Sequence, residues 1–372
     1  MQIEVEKEVI GEGKFGRVHR GSVVDSRGEK RSAVAIKIVI GEEEKVEWEI
    51  SVALHVNKSL KDEECLVMQP LWRTEIDASL ITGRQGIKYK CIIYPLARSD
   101  MLDYLKHEKC LDLQLMKAMM RDMCRAVIQM HAAGVSHGDV SLENFLLMHD
   151  KRVLLADMGL ANALHASNPS HVQEDRRAEY ELYIAACDML YKKHILREED
   201  VSSFEKTVAD ARRRFEYAEY ADYLLARLRR AIGDAHATKI EEARMRLEAA
   251  KIVSMCKVAP ARSRRASGKT MYMSPEMLRW KEFPFDQRKA DVWALSICYF
   301  AMVFGHLPFY SAEASDSLFS SFCASGLDAI ASVGDRDMSA VNFIRFCLHP
   351  SESTRPSAEE ILSHPFLSVH SV

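Results

Sequence analysis

No CxxC pair and no Cys/His spacing that suits a metal occurs in this chain, although it holds nine cysteines. Nine thiols without a framework, beside 18 methionines, fit reduced side chains in an intracellular compartment and exclude a disulfide-stapled secreted fold. An excess of either charge is missing too. The formal net charge is −3 over 372 residues, which gives no bias towards nucleic acid or an anionic membrane. No apolar run is long enough to cross a bilayer, and the longest, 292–304, reads as a buried core helix. The opening Met1-Gln2-Ile3-Glu4-Val5-Glu6 has neither a basic nor an apolar leader region, so no secretory signal is expected. No internal repeat is apparent. These absences predict a soluble cytoplasmic protein, with the nucleus left open, and no nucleic-acid or membrane partner.

What is present changes along the chain. Up to about residue 94 the apolar residues cluster in short β-branched runs, 34–40, 66–68 and 91–94, around one helical stretch at about 42–57. That pattern predicts a small antiparallel sheet with one helix. From Leu102 the pattern is mostly helical: Leu113, Met116, Met120, Met123, Cys124, Val127 and His131 recur at helical spacing, and Gly134 supplies a stop. Two short strand-like runs, 145–148 and 153–156, flank a His149-Asp150-Lys151 turn. Residues 164–266 differ again. They hold no Trp and one Gly, with 20 Lys and Arg against 17 Asp and Glu, and apolar stripes of helical period run through Tyr180–Tyr191 and Phe204–Phe215. A pair or trio of antiparallel helices is expected there.

Four clusters carry chemistry. Gly11-Glu12-Gly13-Lys14-Phe15-Gly16-Arg17-Val18 fits G-x-G-x-x-G-x-V. Glycines let a backbone turn and approach phosphates closely, and Val18 can cover a base. Alone the pattern would suit a glycine-containing hairpin equally well. A dinucleotide-binding unit needs a helix directly after the glycines, whereas here a β-like run ending in Lys37 follows. Lys37 sits in an apolar strand, where a lysine is costly without a partner; the plain alternative is an edge lysine facing water. Glu49 is the expected partner, since Val52, Ala53 and Val56 share its helical face, and Glu47 is the alternative. Further on, His137-Gly138-Asp139-Val140-Ser141-Leu142-Glu143-Asn144 places a carboxylate five residues before a carboxamide, and Asp157 follows in Ala156-Asp157-Met158-Gly159. A single loop Asp is usually a cap or turn former. Three such groups behind a glycine-rich turn and an apolar-strand lysine are what phosphoryl transfer from a nucleotide requires.

With these motifs the chain resembles the eukaryotic protein kinase superfamily, over nearly all its length except 164–266. Later residues agree: Gly268-Lys269-Thr270-Met271-Tyr272-Met273-Ser274-Pro275-Glu276 is similar to the end of an activation segment, and Asp291-Val292-Trp293 to the start of the central helix. Arg355 matches the family arginine that pairs with that glutamate, here Glu276. The resemblance implies an α+β bilobal kinase fold, with a small β-rich lobe (1–95) holding one main helix. A larger, mainly helical lobe (96–372) would carry 164–266 as an insertion in the activation segment. It implies ATP and Mg2+ as cofactors and a protein as substrate. Asp139 would be the catalytic base, Lys37 and Glu49 would hold the phosphates, and Asn144 and Asp157 would bind metal. Gly11, Gly13, Gly16, Val18, Ala35 and Asp100 would line the nucleotide site, with Tyr94 as a bulky gatekeeper. Pro95 C=O and Ala97 N–H would meet adenine.

The departures from the family are as informative. Gly138 stands where the family has an arginine that meets a phosphate on the activation segment, and Met158 stands for a phenylalanine. Ser141 occupies the position of the usual catalytic-loop lysine, while Lys269 occupies that of its threonine contact. Two expectations follow with equal weight: Lys269 has taken over the lysine's task, or it is solvated and Thr270 slips into the threonine's role. Arg262-Ser263-Arg264-Arg265-Ala266-Ser267 resembles a basophilic kinase substrate site or, equally, a solvated basic linker. Glu143, helped by Asp100, resembles a position that binds a basic substrate residue. The expected activity is therefore Ser/Thr phosphorylation, basic-directed and self-phosphorylating. The rival expectation is a pseudokinase-like scaffold. Residues 164–266 are read as a seam of packed helices first, and otherwise as a docking or self-association arm or a gate.

Overall fold

The structure is a computed structural model that describes residues 2–13, 16–24, 30–39, 43–60, 63–82, 88–108, 112–164, 262–263, 267–278, 285–332, 334 and 336–368. The chain divides into two units, residues 1–164 with 263–372, and residues 165–262. The helices expected over 164–266 fall almost wholly outside the described residues. The first unit holds every element of the candidate site.

Its N-terminal part is one antiparallel sheet of β1 (Gln2–Gly13), β2 (Gly16–Val24), β3 (Lys30–Val39), β4 (Trp72–Asp77) and β5 (Lys88–Pro95), in spatial order β1-β2-β3-β5-β4. A one-turn helix, α2 (Ser79–Thr82), follows β4. Strand alternation decides the faces. Val34, Ile36 and Ile38 of β3 are buried with Val23, Ile76, Cys91 and Ile93, each contributing about 1.5–3 kcal/mol by leaving water. The other face carries Lys37 and Val39 towards α1 (Glu43–Ser59), where Val46 packs with Ile92. The expected strand at 66–68 is not part of this sheet. Val67 forms an isolated parallel bridge with Leu155 instead, and Met68 N donates to Leu155 O at 2.8 Å. Its apolar side chains are buried because it runs through the core of the helical part.

That part begins with β6 (Ser99–Asp100), α3 (Met101–His107) and α4 (Leu113–Ala132). Asp112 caps α4 by accepting from the N–H groups of Gln114 and Leu115, and Gly134, at φ +74°, ends the helical turn. Methionines 116, 119, 120, 123 and 130 form the buried stripe of α4, and their unbranched side chains fill irregular core space. The short strands β7 (Val135–Ser136), β8 (Phe145–Leu147), β9 (Val153–Leu155) and β10 (Asn162–Ala163) bracket two loops, 137–144 and 156–161. Next come α5 (Pro275–Leu278) and α6 (Gln287–Phe304). All of α6 but Arg288 and Lys289 is buried, as the apolar run 292–304 predicts. Helices α7 (Ser317–Ser325), α8 (Met338–Cys347) and α9 (Ala358–Leu362) complete the unit. Among the described residues no helix is long and apolar enough to cross a membrane.

Candidate active site

Lys37 is where the site starts. β3 is buried on both sides, so its ammonium needs partners, and it has three short contacts. Nζ lies 2.8 and 2.7 Å from the two Glu49 oxygens and 2.8 Å from Asp157 Oδ1. Burial opposes this charge, but Glu49 and Asp157 outweigh it and hold the lysine pKa above its ordinary value. Glu49, not Glu47, is the helix partner; Glu47 forms an exposed ion pair with Arg73. Trp48 sits beside Glu49 and donates from Nε1 to Ala161 O at 3.1 Å, which fastens α1 to the loop after Asp157. Tyr94 adds another constraint, its hydroxyl donating to Glu49 Oε1 at 2.8 Å. The side chain that limits the back of the nucleotide pocket by resemblance thus also fixes α1.

Asp157 adopts the left-handed backbone, φ +64°, which aspartate tolerates because its side chain can bond locally. Here Oδ1 accepts from Gly159 N at 3.3 Å. Burial acts to raise its pKa, but Lys37 outweighs that and keeps the carboxyl below the usual range, so it stays ionised.

The loop 137–144 is hung on α6. Asp291 accepts from His137 N at 2.8 Å, from Gly138 N at 2.9 Å and from His131 Nε2 at 2.9 Å. The His137 ring accepts at Nδ1 from Asp139 N, so its Nε2 carries the hydrogen donated to Ala156 O. Asn144 Nδ2 donates to Asp139 O at 2.7 Å and to Asp139 Oδ2 at 3.0 Å. Asp139 Oδ1, by contrast, is buried and has no hydrogen-bond partner among the described residues. Burial pushes the Asp139 carboxyl pKa up, while Lys269 pulls against it. A buried acceptor atom left open is costly unless something else fills it.

Gly138 is required by its geometry. It sits at φ +75°, and a Cβ there would lie 2.7 Å from Leu160 O. An arginine at this position would therefore displace the 156–161 loop. Gly138→Ala is expected to cost about 1–3 kcal/mol, read as a lower denaturation midpoint.

Lys269 meets Ser141. Its Nζ donates to Ser141 Oγ at 2.8 Å and lies 3.5 Å from Glu143 Oε1, while Thr270 is exposed. The contact across the two swapped positions is formed, on a lysine that stays partly exposed. Glu143 is also engaged by Tyr272, whose hydroxyl donates to Oε2 at 3.0 Å. Arg355 pairs with Glu276 in a buried two-pronged contact.

The remaining candidates are spread along the sheet and hinge. Gly13 pairs with Gly16 and Gly11 with Val18 across the β1–β2 hairpin; Val18 also faces Lys37, and Ala35 faces Tyr94. Pro95 ends β5, and Ala97 is half-buried just beyond it. Asp100 is partly committed elsewhere, because its Oδ1 caps α3 by accepting from Asp103 N. Asn144 and Asp157 offer oxygen donors of the kind Mg2+ takes alongside phosphates and water. Asn144 uses its Nδ2 on Asp139, which leaves the amide oxygen for a cation. Sequence reasoning missed Trp48, the Tyr94–Glu49 bond and the Asp291 anchor, which join positions from 45 to 154 residues apart.

This arrangement agrees with what similarity shows. A family model described as protein tyrosine and serine/threonine kinase matches residues 4–264, and one described as protein kinase domain matches residues 250–367. Among curated relatives, "Serine/threonine-protein kinase TIO" of Arabidopsis thaliana is 24% identical over 159 residues, 42% of this chain and 11% of the relative. "NUAK family SNF1-like kinase 2" of Rattus norvegicus is 26% identical over 158 residues, 42% of this chain and 23% of the relative. "Inactive tyrosine-protein kinase kin-32" of Caenorhabditis elegans is 26% identical over 168 residues, 42% of this chain and 17% of the relative. Each match spans less than a quarter of the relative's own length. The chain belongs to the protein kinase family, with its bilobal α+β fold.

Proposed function

We propose that the chain is a catalytically competent serine/threonine kinase that transfers the γ-phosphate of MgATP to protein hydroxyls. The observation that carries this reading is the Lys37 ammonium shared between Glu49 and Asp157, the ion pair and acidic group that must be in place together for transfer. Lys37 orients the phosphates. Asn144 and Asp157 would hold Mg2+, which supplies neutralisation of phosphate charge. The open Asp139 Oδ1 accepts a hydrogen bond from the acceptor hydroxyl. The hydroxyl oxygen then bonds to the γ-phosphorus as the bond to the ADP oxygen breaks, and the proton passes to Asp139. Lys269, placed by Ser141, approaches the transferring phosphate, and Gly11, Gly13, Gly16, Val18, Ala35, Tyr94, Pro95, Ala97 and Asp100 enclose the nucleotide. Positioning and charge complementarity supply the acceleration.

Substrate preference is proposed from Asp100 and Glu143; burial does most to raise the Asp100 carboxyl pKa, and the charges of Asp103 and then Glu143 add to it. Together Asp100 and Glu143 favour a basic residue near the acceptor, and the arginines before Ser267 make this chain a candidate substrate of itself. Incubating the protein with labelled ATP and a peptide library, then analysing phosphoamino acids, tests the reading. Phosphoserine or phosphothreonine in basic peptides is expected; phosphotyrosine alone contradicts it. The scaffold reading is favoured by one observation, the inactive name of the Caenorhabditis elegans relative. It predicts no transfer to any peptide.

A further inference from the structure

Three side chains of the segment 267–272 donate hydrogen bonds onto the catalytic loop. Ser267 Oγ donates to Gly138 O at 3.0 Å, Lys269 Nζ to Ser141 Oγ at 2.8 Å, and Tyr272 OH to Glu143 Oε2 at 3.0 Å. The segment is thus fastened in register by hydroxyl and ammonium donors. The first contact is the most sensitive, because its acceptor belongs to the residue directly before Asp139. Gly268, the next residue, has φ +95°, and a Cβ on it would stand 2.8 Å from Asp139 Oδ1. Ser267 is half-buried, and among the described residues the cleft it faces has three charged side chains in its lining: Asp139, Asp291 and Lys269. Two are carboxylates, and the Lys269 ammonium donates one of its hydrogens to Ser141. With glycine at 138, and no room for a Cβ there, that position offers no arginine to Ser267.

We propose that Ser267 is a phosphorylation site and that its phosphate switches the enzyme off. The reaction is transfer from ATP by a kinase that recognises arginine before the acceptor: the Oγ–P bond forms, the bond to ADP breaks, and the hydroxyl proton leaves to that kinase's base. The sequence supplies such a context, with arginines two, three and five residues before Ser267. The product loses the hydroxyl hydrogen that holds Gly138 O and gains three acceptor oxygens with nearly two negative charges. Placed against the Gly138 carbonyl, with Asp139 and Asp291 in the same cleft, that group meets like charge, and it cannot donate to the carbonyl as the hydroxyl did. The segment therefore cannot re-seat on the catalytic loop until the phosphate is removed. A serine hydroxyl, not a phosphate, holds the segment in its working position.

The effect on rate rests on the kinase reading above; the effect on the segment does not. The test uses full-length protein with phosphoserine encoded genetically at 267, beside unmodified protein and Ser267→Ala. Phosphate transfer to peptide and amide hydrogen exchange over 137–144 and 267–273 are measured on each. Ser267→Ala, which loses one hydrogen bond, is expected to fall less than about tenfold in rate. The phosphoprotein is expected to fall more than tenfold, to exchange faster in both segments, and to regain rate and protection after phosphatase treatment. A phosphoprotein as active as the unmodified one, or exchange unchanged in both segments, overturns the proposal. If the unmodified protein transfers no phosphate, the kinase reading fails, and the exchange comparison still decides this one.

Discussion

Asparagine in place of Asp139 is expected to lower turnover by about 10²–10⁴ while MgATP affinity stays near its starting value. The carboxylate shares no hydrogen bond with Lys37 or Asp157 among the described residues, so nucleotide binding does not depend on it directly. Asn keeps the shape and one acceptor for Asn144, but it cannot take a proton from the acceptor hydroxyl. The pH dependence follows with a definite sign. Burial holds the Asp139 pKa above the usual carboxylate value, and the charged form is the active one. Rate should therefore fall as pH drops through that raised pKa, earlier than for an exposed aspartate. In Asp139→Asn this acidic limb should vanish from the residual rate. A measured pH–rate profile of both proteins checks the pair of statements together.

Lys269→Ala is the second large effect, with turnover down about 10²–10³ and little change in ATP binding. The expectation depends on geometry that places the ammonium against Ser141. Loss of packing alone could slow an enzyme, so a compensating variant is the sharper comparison. Moving the lysine back, as Ser141→Lys with Lys269→Thr, should restore a large part of the lost rate, since the ammonium returns to the same spot from the opposite side. Lys269→Ala with near-normal turnover would sink the swap, and so would a double variant no better than the alanine.

Much of this site was legible in the sequence because its parts are local. The five-residue step from Asp139 to Asn144 and the turn at Asp157 are short-range features whose chemistry shows in residue type. Lys37 was legible because a charged residue in an apolar strand needs a partner, and its helix supplied Glu49. The Ser141–Lys269 contact was reachable only through the resemblance, and there it stood level with a solvated lysine. Two other features left no trace, and one was misread. The Asp291 anchor joins residues more than 150 positions apart. The Tyr94 hydroxyl bond depends on how α1 settles over β5, which no periodicity reports. The apolar run 66–68 looked like a sheet strand because burial, not pairing, sets its composition; it pairs instead with β9 across the core. Gly138 was legible as a departure, but its reason, the approach of Leu160 O, required the fold.

The most direct test of the central claim is a rapid-quench single turnover of the protein with γ-labelled ATP and one serine peptide, run beside Asp139→Asn. Labelled peptide should form in the wild-type protein at least 100 times faster than in the variant, with both binding MgATP alike. Equal rates in the two proteins, or MgATP binding without any transfer by the wild type, would contradict the account and leave a nucleotide-binding scaffold in its place.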